Sequence, residues 1–482
     1  MPLIFGKGVA TESQGMFMEK LSNRVADNSR VVGTSSQARL VLLAGLLLVW
    51  PIPHSIALRN LLLGLLFLGA TLAADWTRLR WFVSKPMRVP NLFCAAFTAW
   101  ILLVAVFISP NPWWSLGEIK GQWIMALLTM LTGLAISLPR NHANTSKVMI
   151  VVIAMFALEV LAVDGQGIWL AIQRGTWPHW ARLGGLTAGP GKANYETNFF
   201  LSALVAEVTL RMEGRRTFNV PSWALGILLA FAALSVDFEA MRNELFDLGV
   251  FLGFVAWIGY KISKGRVSRE GKAALIFGFL LVVGLGVLDL AADPRWKTLW
   301  ATVPIALNTS GHLYWLNQTR FPIPRLPSGQ AVSQSNYLRI AWMKEGLEAI
   351  VRDPWGVGYG RSAFAHAIRA MFGAISRVNG PNDSLLDIAV GSGVIGVTLW
   401  LGWLFSLGRM MAARINGAMD SGVFAARFLL LIVLSFGVRM AVDSDMQNYT
   451  LEQFCFMVGL LAPLAVSESG ARVPCPQLVE GD

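Results

Sequence analysis

Charge is scarce in this chain, and cysteine is scarcer. Only 14% of its 482 residues are charged, against 55% hydrophobic, and its three cysteines, Cys94, Cys455 and Cys475, stand in no CxxC or zinc-ligand spacing. So little charge excludes an ordinary soluble domain. The cysteines imply neither a disulfide framework nor a zinc site. The chain also opens without the short apolar core and cleavage site of a signal peptide, and polar, basic residues 1–38 read as a cytoplasmic tail. Histidine is rare as well: His54, His142, His179, His312 and His366 are all there are.

Apolar runs long enough to cross a bilayer, roughly 17–25 residues each, fill the chain instead. Runs such as LVLLAGLLLVW and AALIFGFLLVVGLGVLDLAA are continuous, unlike the alternating segments of a barrel strand. Hydrocarbon admits only helices or closed barrels. The expected fold is therefore an all-α integral membrane protein of about 12 transmembrane helices. They cover 39–53, 56–75, 91–109, 121–138, 147–172, 194–211, 221–237, 243–262, 273–292, 384–408, 423–442 and 450–466. The first, kinked by Pro51 and Pro53, makes a tight hairpin with the second. This divides the chain into an N-terminal tail 1–38, helices 1–9 over 39–292, a large loop 293–383, helices 10–12 over 384–466 and a C-terminal tail 467–482.

With the N-terminus inside, the cytoplasmic loops carry Arg78, Arg80, Lys85 and Arg88, then Arg140 and Lys147, then Arg211, Arg215 and Arg216. Lys261, Lys264, Arg266, Arg269 and Lys272 follow, then Arg409 and Arg414. This is the positive-inside pattern. The net charge of +11 is largely a topology signal, and nucleic acid is not an expected partner. The opposite face has Arg174, Arg182 and Lys192, then Arg242, then Arg439, and the large loop. Within that loop SNYLRIAWMKEGLEAIVRD has apolar residues at helical spacing. A loop so long in a compact bundle is usually functional or disordered, and its aromatics and periodicity favour an ordered, partly helical cap.

Four pieces on that outer face carry a family resemblance: RLGGLTAGPGKANYETNFF, FEAMRNELFDL, NYLRIAWMKEGLEAIVRDPWGVGYG, and GPNDSLLDIAVGSGVIG followed by VRMAVDSDMQNYTLEQF. In this order they resemble the bacterial O-antigen ligases and related O-antigen polymerases, multi-span glycosyltransferases with a large periplasmic loop between late helices. The resemblance implies an inner-membrane enzyme with a periplasmic active face. It would move a glycan from an undecaprenyl-pyrophosphate carrier to a lipid A-core or other glycan acceptor, with no metal and no cofactor. The chain departs from the family at its histidine. Registering on Gly393 and Gly396 puts Asn382 at the histidine position and Asp383 at the following asparagine; a shift of one puts Pro381 there instead. Ligase, polymerase and inactive-homologue readings all stay open.

Such a transfer needs cations waiting for the departing pyrophosphate, for which arginine offers a planar, permanently charged fork. It also needs a base for the acceptor hydroxyl. Arg182 and Arg242, with Arg339 third and Lys192 fourth, are the expected pyrophosphate- and glycan-binding residues. Each has a plainer alternative in interfacial snorkelling. Asp383, with Asn382, is the expected catalytic pair, and burial would raise a carboxyl there toward a useful base. The plainer role is capping: Asn, Asp and Ser are favoured N-caps, and Ser384 and Asp387 have capping-box spacing. His366 and Glu345 are reserve bases.

Glu159, Asp164, Glu196, Glu207, Asp247 and Asp289 lie within expected spans. Intramembrane acids are functional by default, so proton-coupled transport is the rival class. It lacks paired broken helices marking inverted repeats. GVGYGRS lacks the lysine and preceding strand of a phosphate loop.

Overall fold

A computed structural model describes residues 37–74, 85–138, 142–178, 181–241, 243–262, 298–381, 383–417, 419–443 and 449–467. Among these residues the protein is all-helical, with one isolated antiparallel bridge, Arg325 to Ala331, and no strand. Eight helical stretches are long and apolar enough to cross a membrane. The protein is thus an α-helical, multi-pass membrane protein, and its association with a lipid bilayer follows.

The first half of the chain forms α1 (Gln37–Val49), α2 (Ile56–Ala73), α3 (Lys85–Leu103), α4 (Pro112–Glu118), α5 (Met125–Ser137) and α6 (His142–Arg174). It continues through α7 (Pro190–Met212), α8 (Ser222–Glu239) and α9 (Glu244–Ile262). A cap follows, with α10 (Leu299–Leu307), α11 (Gln334–Arg352) and α12 (Ala363–Phe372). The chain then returns through α13 (Ser384–Ala412), α14 (Asp420–Arg439) and α15 (Tyr449–Ser467). The expected span 273–292 lies outside the described residues, as do most of both tails. Eleven of the expected spans meet a helix, with shifted ends. α1 covers 13 residues, because the Pro51 and Pro53 pair ends it early. α3 begins before the expected 91, so Lys85 and Arg88 sit in its first turn and not in a loop; Pro90 is tolerated close to that start.

α15 lies at the centre, and every residue from Tyr449 to Ala465 is buried. It meets α5 backbone to backbone: a Cβ on Gly133 would stand 2.4 Å from the Phe456 carbonyl, and one on Gly459 at 1.9 Å from that of Met130. Small residues permit such approach where water exerts no hydrophobic drive between helices. α2 lies at the rim, and Leu58, Leu61, Leu65, Leu68 and Leu72 expose one apolar stripe that suits lipid. Phe97, Trp123, Trp400 and Trp403 interlock edge to face between α3, the segment joining α4 to α5, and α13.

The bundle has two chemically different ends. One is basic: Arg215 pairs with Asp420 at 2.6 Å, Arg211 with Glu207 at 2.9 Å, and fully buried Arg427 with Glu213. The cap covers the other. Its core of Trp315, Tyr337, Phe364 and Ile368 runs into Leu386 and Val390 of α13, so cap and bundle are packed as one body. The expected amphipathic helix in the large loop is α11.

Candidate functional site

The stretch GPNDSLLDIAVGSGVIG opens α13. Asp383 is its N-cap, and Oδ1 accepts the Leu386 N–H at 3.0 Å. The end of α14 takes the next donors. The Ser384 N–H and hydroxyl donate to the Asp443 carbonyl at 3.0 and 2.8 Å, and the Leu385 N–H donates to Met440 at 3.0 Å. One helix start thus satisfies one helix end, and the first turn has no spare N–H for an anion. The expected Ser384–Asp387 capping box does not form. Ser384 is committed to Asp443, and Asp387 reaches across to accept the Phe364 N–H of α12 at 3.2 Å.

Burial holds the Asp383 carboxyl above its ordinary range, opposed by the Leu386 and Leu385 N–H groups and by the charge of Arg339. The charge of Arg339, far away in sequence, is therefore felt at Asp383. Arg339 is exposed on α11. Asn382 and Arg242 lie outside the described residues.

The glycine-rich turn before α7 is folded tightly. Glu159 of α6 accepts the Leu186 N–H at 3.1 Å, and Gln166 accepts from Gly185 at 3.2 Å while donating back at 2.8 Å. The turn is tight because a Cβ on Gly185, at φ +55°, would stand 2.4 Å from Glu159 Oε1. Arg182 enters this turn in the left-handed region, φ +55°, a conformation uncommon outside glycine. Its side chain is exposed and pairs with none of the described residues. Lys192 is half-buried, its ammonium 5.8 Å from the centre of the Tyr449 ring. No direct contact joins Arg182 or Lys192 to Asp383.

Arg439, assigned no role on sequence grounds, is the hub of this end. It is 1% exposed. Its guanidinium donates to the Gly191 carbonyl at 3.3 Å and to Asp443 Oδ2 at 3.4 Å, lies 4.0 Å from Asp247 Oδ2, and sits over the Tyr195 ring at 5.4 Å. Asp443 also accepts from Asn243 at 3.0 Å. Asp247 accepts from Asn198 at 2.6 Å and Ser435 at 2.7 Å, and Glu239 accepts from Asn194 at 3.2 Å and Thr197 at 2.7 Å. The first, second and fourth pieces are thereby tied into one buried polar network. The usable sequence signal was a charged residue within an apolar run, VLSFGVRMAV.

The third piece is tied to the fourth through backbone. α13 is broken at Gly393, φ +70°, which frees carbonyls and N–H groups to meet residues 354–358. Val357 N–H donates to Val390, Gly358 to Gly391 and Val394 to Pro354, at 3.0, 2.9 and 3.0 Å. Ser109 and Ser115, either side of the start of α4, donate to the Val357 and Tyr359 carbonyls at 2.9 and 3.1 Å. Gly356 of GVGYGRS meets the backbone at Gly391 and Gly393, while Gly358 and Gly360 leave room for the Ser109 and Trp114 side chains. Next to this junction Arg361 grips Glu118 with two bonds, 2.9 and 3.0 Å. Gln122, Tyr359, Arg361, Ser384 and Asp387 line a crevice of about 20 Å³, room for a water or so.

The reserve bases are held elsewhere. His366 stacks on Trp114 at 4.0 Å between ring centres, and burial, then Arg369, lowers its imidazole below the ordinary value. Glu345 is buried in the cap, where desolvation raises its carboxyl against a bond from Thr309. Among the described residues no group of His, Cys, Asp and Glu has metal-site geometry. Compared with known proteins, the chain matches no family model and no curated protein.

Proposed function

We propose that this protein is a membrane glycosyltransferase of the O-antigen ligase type. It transfers a glycan from an undecaprenyl-pyrophosphate carrier to a lipid A-core or similar hydroxyl. The observation that carries the reading is the convergence of all four resembling pieces at the capped end, three through Arg439 and Asp443 and the third through the Gly393 break. In this reading twelve helices span the bacterial inner membrane, the basic end and both tails are cytoplasmic, and the cap over 293–383 is periplasmic. The exposed guanidiniums of Arg182 and Arg339, with Arg242 and Lys192, meet the pyrophosphate. Asp383 takes the acceptor proton from beneath the cap, and its half-buried carboxyl is a stronger base than a solvated one. Arg439 is a positioning residue, because its guanidinium is committed to protein partners.

The test is transfer by purified protein in lipid, from undecaprenyl-pyrophosphate-linked donor, with and without lipid A-core. Acceptor-dependent transfer that collapses in Asp383→Asn and falls in Arg182→Ala supports the reading. Extension of the carrier-linked chain without acceptor turns it to a polymerase. Absence of transfer from several carriers sinks it.

A second reading, proton-linked transport, draws on the buried carboxyls Glu239, Glu244 and Asp247 near the buried guanidinium of Arg439. Proton flux into sealed vesicles on addition of a substrate, with no glycan transfer, would favour it.

A further inference from the structure

Away from the capped-end site, a cleft of about 900 Å³ runs between α9, α13 and α14. This volume lies in the range of ligand-sized sites, ~300–1,000 Å³. Its wall is apolar, with Phe254, Trp257, Leu401 and Phe405 prominent, and glycines on all three helices keep it open. Among the described residues, nothing lies within 4 Å of a Cβ built on Gly249, Gly253 or Gly437.

The charge on this cleft is of one sign and at one end. Arg409 is the charged residue among the described lining; it is exposed and pairs with no described acid. Lys261, also exposed, holds its ammonium 4.6 Å from the centre of the lining Trp257 ring. Arg409 lies on the α13 wall and Lys261 beside the lining Trp257 of α9, while the described acids Glu207, Glu213 and Asp420 are engaged by Arg211, Arg427 and Arg215. An apolar trough ending in two cations that pair with no described acid has the chemistry of an anionic headgroup site with room for acyl chains. A zwitterionic lipid would bring an ammonium of its own to the same mouth and lose that attraction.

We infer that this cleft holds an anionic phospholipid, its phosphate between Arg409 and Lys261 and its acyl chains along Phe254, Trp257 and Phe405. The site is separate from the donor site proposed above.

The experiment is native mass spectrometry of the full-length protein in mild detergent, titrated with phosphatidylglycerol or phosphatidylethanolamine. Phosphatidylglycerol is expected to bind at one saturable site and to outcompete phosphatidylethanolamine. Arg409→Ala should weaken it about fivefold and the double variant with Lys261→Ala about 25-fold. Gly253→Leu, whose Cβ has no described heavy atom within 4 Å, should abolish that site while leaving thermal stability unchanged. Equal binding of both lipids, or binding that survives Gly253→Leu, overturns the inference. So does displacement by undecaprenyl phosphate but not by phosphatidylglycerol, or a dimer that Gly253→Leu dissociates. A disulfide between Gly253→Cys and Leu281→Cys, which would put the chain's own 273–292 run in the cleft, also overturns it.

Discussion

Gly356 approaches Gly391 so closely that a Cβ on Gly356 would stand 2.4 Å from the Gly391 carbonyl oxygen, and its φ of +92° is already left-handed. This contact locks the cap to the break in α13. Gly356→Ala should therefore carry both a conformational strain of ~1–2 kcal/mol and an overpacking cost of ~1–3 kcal/mol. Gly373, φ +70°, has nothing within 4 Å, so Gly373→Ala should show the strain alone. Thermal unfolding in detergent compares the two; equal losses would show that the close approach does not limit stability.

Arg439 and Asp247 are both 1% exposed, which makes their coupling measurable. Removing one member of a buried pair strands the other charge, at ~3–5 kcal/mol. Arg439→Met alone should lower yield and melting temperature sharply. Adding Asp247→Asn should recover part of the loss, giving a favourable coupling in a double-mutant cycle. Strictly additive losses would mean that Arg439 acts mainly through Gly191 and Asp443.

The raised carboxyl of Asp383 sets a pH dependence with a definite sign. Its ordinary value is 3.8 and burial moves it upward, so between the two values the folded protein holds more protons than the unfolded chain. Stability therefore falls as pH rises through that window. Melting temperature against pH should show wild type losing ground to Asp383→Asn from about pH 4 upward. Transfer activity should rise over the same interval as the carboxylate forms. Arg339→Ala, which removes an opposing positive charge, should move the acid limb of that activity profile to higher pH. An unmoved limb would detach Arg339 from the site.

His366 carries the opposite sign. Burial against Trp114 lowers its imidazole below 6.5, so the unfolded chain takes up the proton first as pH falls. Stability attributable to this residue should be present above about pH 6.5 and be lost as pH falls through its lowered value. His366→Gln should flatten that part of the curve. Transfer that persists in this variant would leave Asp383 as the candidate base.

The bidentate clamp of Arg361 on Glu118 looks stronger than it should prove. Arg361 is 43% exposed in its side chain, and solvent screens such pairs to ~0–1 kcal/mol. Arg361→Ala should leave the melting temperature nearly unchanged but admit protease to residues 353–362 at a faster rate. A loss of several degrees would reveal a pair better shielded than its exposure implies.

Composition and apolar run length by themselves determined that this is an α-helical membrane protein, because a backbone in hydrocarbon has few ways to satisfy its polar groups. The amphipathic spacing of residues 334–352 likewise determined a helix in the cap. Pro51 and Pro53 also marked the first span as short and kinked; the fold ends α1 at Val49, ahead of both prolines, with no kink inside it. Sequence could present Asp383 as a cap or a base; only the fold shows it capping Leu386 while Arg339 acts on it from another helix. Arg439 looked like one more basic residue in a short loop, since nothing local reveals that Gly191, Asp247 and Asp443 surround it. The glycines of PWGVGYG and VGSGVIG read as separate motifs. The purpose of Gly356, Gly391 and Gly393 belongs to a pair of backbones that meet only after the chain has folded, and a contact between distant segments leaves no period in either one.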